Sequence, residues 1–104
     1  MSRIVSVYAV FADVQEACRI GGRMVEEKLA ACVNVLGECH SIYRWQGKVE
    51  VATEAAAIFK ARADKADALV ARIAELHSYD VPAIAVWQIK RAWPAYAEWV
   101  ETEG

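Results

Sequence analysis

A chain of 104 residues, 57% hydrophobic and 25% charged, is long enough to build one core and apolar enough to leave hydrophobic surface for an interface. A formal net charge of −2 without a basic run excludes a nucleic-acid or anionic-membrane partner held by clustered Lys and Arg. The first residues alternate toward Asp13 instead of forming a long apolar run, and Cys18, Cys32 and Cys39 make an odd count expected to stay reduced, so the expected compartment is the cytoplasm, with no membrane span.

Residues 3–11 are rich in Ile, Val, Tyr and Phe and read as a first strand with one face well buried. Asp13, with Glu16 three residues later, is an N-cap pattern, and Val14, Cys18, Val25 and Leu29 give the helix it opens an apolar stripe. Gly21 and Gly22 inside that helix each cost about 1 kcal/mol relative to Ala, so both are expected to permit close packing on a sheet. A second strand starts at about Ala31, and Gly37 marks a bulge or bend in it. In the stretch 41–45, alternation places Ile42 and Arg44 on one face and Tyr43 and Trp45 on the other. Gln46-Gly47 then forms a hairpin turn, and Lys48-Val49-Glu50-Val51 resumes the period of two. Two large rings beside a hairpin tip lie far from the core this chain can build, so they are expected to meet another surface, and self-assembly follows.

From Val49 to His77 local signals conflict. Glu54-Ala-Ala-Ala could start a helix running through residue 76, the reading that propensity favours. Alternatively Asp64 caps a separate helix with the stripe Ala66, Leu69, Val70, Ile73 and Leu76. Tyr79 to Pro82 form a loop, Ala83 to Lys90 alternate as a fourth strand, and Pro94 opens a last helix. Trp87, Trp93, Tyr96 and Trp99 are assigned to packing of that helix and of a neighbouring subunit. No repeat, low-complexity tract or linker divides the chain, so residues 1–104 are expected to form one domain.

His77 is the best single candidate for a metal ligand, because a neutral imidazole at a helix end suits borderline metals. The alternative is a histidine that interacts with the helix carbonyls. Asp80 is its possible ligating partner. Cys39-His40 also suits copper or zinc, but strand neighbours point to opposite faces. Cys18 and Cys32 read as small buried apolar residues. No nucleophile-and-base set, phosphate loop or Cys-x-x-Cys is present, and Lys60 and Glu50 read as solvated strand charges, so an enzyme is not expected.

Three blocks carry a resemblance: Glu27-Lys28-Leu29-Ala30-Ala31-Cys32-Val33-Asn34; Ser41-Ile42-Tyr43-x-Trp45-x-Gly47-Lys48; and Glu75-Leu76-His77-Ser78-Tyr79-Asp80-Val81-Pro82-Ala83-Ile84. With Tyr96 and Trp99 they resemble the CutA divalent-cation-tolerance family over nearly the whole chain. The resemblance implies an α+β fold, a ferredoxin-like β-α-β-β-α-β sandwich with a long β2-β3 hairpin and an extra C-terminal helix, which makes residues 48–62 a strand. It also implies a cytoplasmic homotrimer built with the hairpin, placing Tyr43, Trp45, Gly47 and Lys48 at the interface. Copper(II) or another divalent cation, not tightly held, is the implied ligand. In the family this histidine and a cysteine near the end of the first strand are implicated in copper binding. Here Ala9 stands where that cysteine would be, Ser78 replaces a proline and Ala83 a common glutamate. The resulting expectation is a homotrimer that binds or senses divalent ions, with His77 and Asp80 at the site. The alternative is a trimeric scaffold or signalling protein that binds a small effector or protein partner in inter-subunit clefts.

Overall fold

The computed structural model describes residues 3–104. Four strands, β1 (Ile4–Phe11), β2 (Cys32–Trp45), β3 (Lys48–Arg62) and β4 (Ile84–Gln88), form one antiparallel sheet in the order β2-β3-β1-β4. Helix α1 (Val14–Glu26) joins β1 to β2, α2 (Ala66–Leu76) joins β3 to β4, and α3 (Pro94–Glu103) follows. This is the ferredoxin-like β-α-β-β-α-β arrangement with a terminal helix added.

Alternation sorts the sheet into two faces. Val5, Val7, Ala9 and Phe11 of β1, with Ala55, Ala57, Phe59 and Ala61 of β3, bury against Ala17, Ile20 and Met24 of α1 and Leu69 and Ile73 of α2. Full burial of a side chain such as Phe59 contributes about 1.5–3 kcal/mol. On the other face, Ile4 and Ala31 meet Val100 of α3, with Ile89, Tyr96 and Ala97 packed beside them.

β3 decides the ambiguous stretch. Its alanines favour a helix locally, yet it is a central strand, hydrogen-bonded to β1 on one side and to β2 on the other. Ala55, Ala57 and Ala61 leave room for the helices on its core face, and Phe59 fills the space between them. Asp64 does not cap α2. A 3-10 turn, Ala63–Lys65, precedes the helix, no side chain caps it, and the Asp64 carboxylate instead accepts two bonds from the Arg62 guanidinium at 3.1 and 2.7 Å. Strand β4 is shorter than its alternation suggests, ending at Gln88 instead of Lys90.

β2 and β3 pair from Cys32↔Lys60 to Trp45↔Lys48, whereas β1 covers β3 only from Ala55 to Arg62. The rest of the hairpin therefore projects from the body, and the longest dimension reaches 44 Å. Its turn has Gln46 at φ 51° and Gly47 at φ 83°, the double positive φ of a two-residue hairpin turn. Gly37, at φ 94°, sits in the register shift after Val35, the bulge expected there.

Asp13 accepts a bond from the Glu16 amide at 2.8 Å and caps α1 as expected. The paired glycines separate into two cases. A Cβ on Gly21 would stand 3.0 Å from Val33 Cγ1, so this glycine serves close packing on the sheet, but a Cβ on Gly22 would meet nothing within 4 Å. Gly22→Ala is expected to stabilise the protein by up to about 1 kcal/mol in urea unfolding, and Gly21→Ala to give less than half of that. Equal gains at both positions would contradict the packing role of Gly21. No helix among the described residues is long and apolar enough to cross a membrane.

Candidate functional site

The turn after α2 is fastened to the sheet by two buried polar side chains. His77 leaves the helix with extended backbone angles, φ −70° and ψ 145°, and its ring turns back toward the end of β1. Nδ1 accepts the Tyr79 amide at 3.0 Å, which leaves the proton on Nε2 to be donated to the Val10 carbonyl at 2.7 Å. The ring stacks on Phe11 with centroids 5.0 Å apart, lies 4.8 Å from Tyr79, and is only 8% exposed. Both nitrogens are thus occupied, and the bonds run to β1 and the turn instead of to the helix carbonyls.

Glu16 is the second fastener. Its two carboxylate oxygens accept the amides of Ala12 and Ser78, each at 3.0 Å, so α1, the end of β1 and the turn meet at one carboxylate. Burial alone pushes this carboxyl up, but the Ala12 amide and Ser78, with His77 nearby, outweigh it and hold it below the ordinary glutamate value. A depressed folded value gives stability that is present above the unfolded carboxyl's pKa and lost as pH falls through the folded one. The acid-unfolding limb below about pH 4.5 should therefore flatten in Glu16→Gln, followed by circular dichroism. An unaltered limb would remove Glu16 from that role.

On the face opposite α1 and α2, along the hairpin, a groove of about 510 Å³ is bounded by Tyr43, Trp45 and Glu54 of the hairpin, Val10 of β1, and Tyr79, Asp80, Val81 and Ala83 of the turn. The Tyr79 hydroxyl donates to Glu54 Oε2 at 2.7 Å and so ties the turn to β3. Burial, then the Glu54 carboxylate, pushes the Tyr79 phenol well above its ordinary value, so it remains a proton donor at any physiological pH. Among the described residues, no Lys, Arg or His side chain lines the groove.

The residues expected at the site therefore divide. Asp80, Tyr43 and Trp45 line the groove, Gly47 makes the hairpin turn, and Lys48 pairs with Trp45 at the tip. His77 lies behind the groove, and its environment does not fit a copper centre. Both ring nitrogens are taken, Ala9 supplies no thiolate, and among the described residues no three His, Cys, Asp or Glu side chains are grouped to hold a metal ion. Cys39 and His40 pair with Glu54 and Thr53 as strand neighbours on opposite faces and do not converge. Cys18 corrects its expectation by lying exposed on α1, whereas Cys32 is half-buried with Sγ 3.6 Å from the Tyr96 hydroxyl. Burial and Cys32 push that phenol up to about 12.

Three residues that position the site were not singled out for it. Glu16 was visible only as a partner of the N-cap, Glu54 as an acid before an alanine run, and Tyr79 as a loop residue. The one available signal for Glu54 was a lone carboxylate in an apolar strand segment, which calls for a partner.

Comparison with known proteins gives a consistent result. Residues 5–103 match the family described as CutA1 divalent ion tolerance protein. The chain is 37% identical over 95 residues to the divalent-cation tolerance protein CutA of Archaeoglobus fulgidus, covering 91% of this chain and 92% of that protein. It is also 37% identical over 95 residues to the chloroplastic protein CutA 1 of rice (Oryza sativa), but there it spans only 54% of the relative's length. The solved structure of CutA from Xylella fastidiosa superposes with a TM-score of 0.95 at 34% identity, covering 98% of each chain.

Proposed function

This chain belongs to the CutA1 divalent ion tolerance protein family, and from that premise we propose that it works in the cytoplasm as a non-catalytic homotrimer that takes up divalent cations weakly. The observation that carries the assembly is the projecting hairpin. Ile42, Val49 and Val51 are 72%, 62% and 69% exposed on one face, and Trp45 is 53% exposed beside Tyr43 on the other. An isolated hairpin with this much apolar surface is stable only when the surface is covered. A neighbouring copy covers it, with Tyr43, Trp45, Gly47 and Lys48 at the contact.

The cation-binding part rests on the carboxylates of the groove. Asp80, with Glu54 across from it, offers oxygen ligands to copper(II), zinc(II) or another divalent ion, and the site is weak because oxygen ligands are few and no nitrogen or sulfur joins them. His77 enters the coordination sphere only by giving up its bond to Val10 or to Tyr79. Calorimetric titration of the tag-free protein with zinc(II) and copper(II) tests this. Weak binding that is lowered several-fold in Asp80→Asn is expected; tight binding that survives this change but is lost in His77→Gln would place the ion on the imidazole instead.

The groove also favours a second reading, a trimeric scaffold that binds a small effector beside the hairpin contact. Its observation is a lining of aromatic rings and two carboxylates, more like a ligand pocket than a metal centre.

A further inference from the structure

We infer that the open face of the sheet beside α3 carries a binding site for a small aromatic carboxylate, held by the Lys60 ammonium, the Ser6 hydroxyl and the Asn34 amide. None of these residues lines the groove, and the site depends on neither reading above.

Strand register brings the donors together. Lys60 of β3 is the direct partner of Ser6 of β1 and of Cys32 of β2, and Ser6 is in turn the partner of Trp87 of β4. Directly paired residues share a face, so the four strands set one row of side chains on the side away from α1 and α2. Asn34 follows Cys32 on that same face of β2, two residues along. The Lys60 ammonium donates to Asn34 Oδ1 at 3.1 Å, and among the described residues it forms no ion pair. It is half-buried, and a charge partly withdrawn from water calls for an opposite charge that these residues do not supply. Ser6 points the same way independently. It is only 8% exposed, and its hydroxyl makes no hydrogen bond among the described residues, yet the oxygen is not sealed from solvent. The unused ammonium protons, the hydroxyl proton and the Asn34 amide protons are all donors, so together they select an oxyanion. One ammonium balances one negative charge, which favours a monocarboxylate over a polyphosphate. The ends of the row shape the rest. Tyr96 of α3 stands over Cys32, with its hydroxyl 3.6 Å from Sγ, and Trp87, 51% exposed, is braced by stacking on Tyr8 of its own chain with centroids 5.3 Å apart. An aromatic carboxylate sets its oxygens on Lys60 and Ser6 and its ring against Trp87.

The test is a titration of the full chain with sodium benzoate at constant ionic strength, and in parallel with benzamide, its uncharged analogue. Proton–nitrogen correlation spectra of the tryptophan indoles, the asparagine side chain and the backbone amides supply the readout. Benzoate is expected to shift the Trp87 indole, the Asn34 side-chain amide and the Ser6 amide saturably, and to bind at least about five-fold tighter than benzamide. Lys60→Gln is expected to remove that preference, and Ser6→Ala to weaken benzoate about five-fold. The first variant still donates to Asn34 and the second loses only an unbonded hydroxyl, so both keep the fold. Absence of a saturable shift overturns the inference, as does equal binding of benzamide, or benzoate binding left unchanged by either substitution. A carboxylate of a neighbouring copy already seated on Lys60 would appear as a parent protein that ignores benzoate and a Lys60→Gln variant of lower mass in sedimentation, and overturns it equally.

Discussion

The double variant Tyr43→Ala, Trp45→Ala is expected to dissociate the proposed homotrimer at concentrations where the parent protein is expected to stay assembled. Both rings lie on one face of a hairpin that β1 does not reach, so each chain has little of its own core to cover them. Buried interface aromatics cost about 2 kcal/mol or more each on truncation, and every trimer loses three copies of the pair. Because an oligomer's stability depends on protomer concentration, the midpoint of thermal unfolding should fall and should begin to vary with dilution. Sedimentation equilibrium over a dilution series supplies the readout. A variant with the parent's mass and dilution behaviour would place the contact elsewhere, with the opposite face at Ile42, Val49 and Val51 the next surface to change.

His77→Ala is expected to destabilise the folded chain by roughly 2–4 kcal/mol while leaving weak divalent-ion binding in place. The substitution removes a buried ring from Phe11 and leaves the Val10 carbonyl and the Tyr79 amide without their partners. It also frees the turn that carries Tyr79 and Asp80 into the groove, so ligand affinity should fall only as far as the turn loosens. Urea unfolding measures the stability, and calorimetry at a temperature where the variant is folded measures binding. Unchanged stability with abolished metal binding would reverse the assignment and make His77 a ligand.

What could be read from the sequence follows the range of the interactions involved. The Asp13 cap, the Gln46-Gly47 turn and the Gly37 bulge depend on a residue and its near neighbours, and each is where alternation and turn chemistry put it. β3 is different. Its alanines point locally to a helix, and only pairing with strands distant in sequence makes it extended, so the family resemblance had to supply what propensity could not. The cap of α2 failed for a related reason: Asp64 has the right chemistry for an N-cap but is drawn away by Arg62, two residues before it.

At the site, the sequence marked His77 as chemically notable without revealing its surroundings. Whether an imidazole is a ligand or a strut depends on what its two nitrogens meet, and the Val10 carbonyl is supplied by a strand 67 residues away in sequence. The same holds for Glu54 and Tyr79, joined across 25 residues. Cys18 shows the limit of composition: cysteine is commonly buried, yet this one lies exposed on α1.

The central claim is that the projecting hairpin builds a trimer, and the mass of the tag-free protein in solution tests it most directly. Sedimentation equilibrium is expected to give a single species at three times the 11.5 kDa chain mass, unchanged on dilution through the micromolar range. A species of one chain mass under the same conditions, with the hairpin apolar surface left in water, would contradict the account.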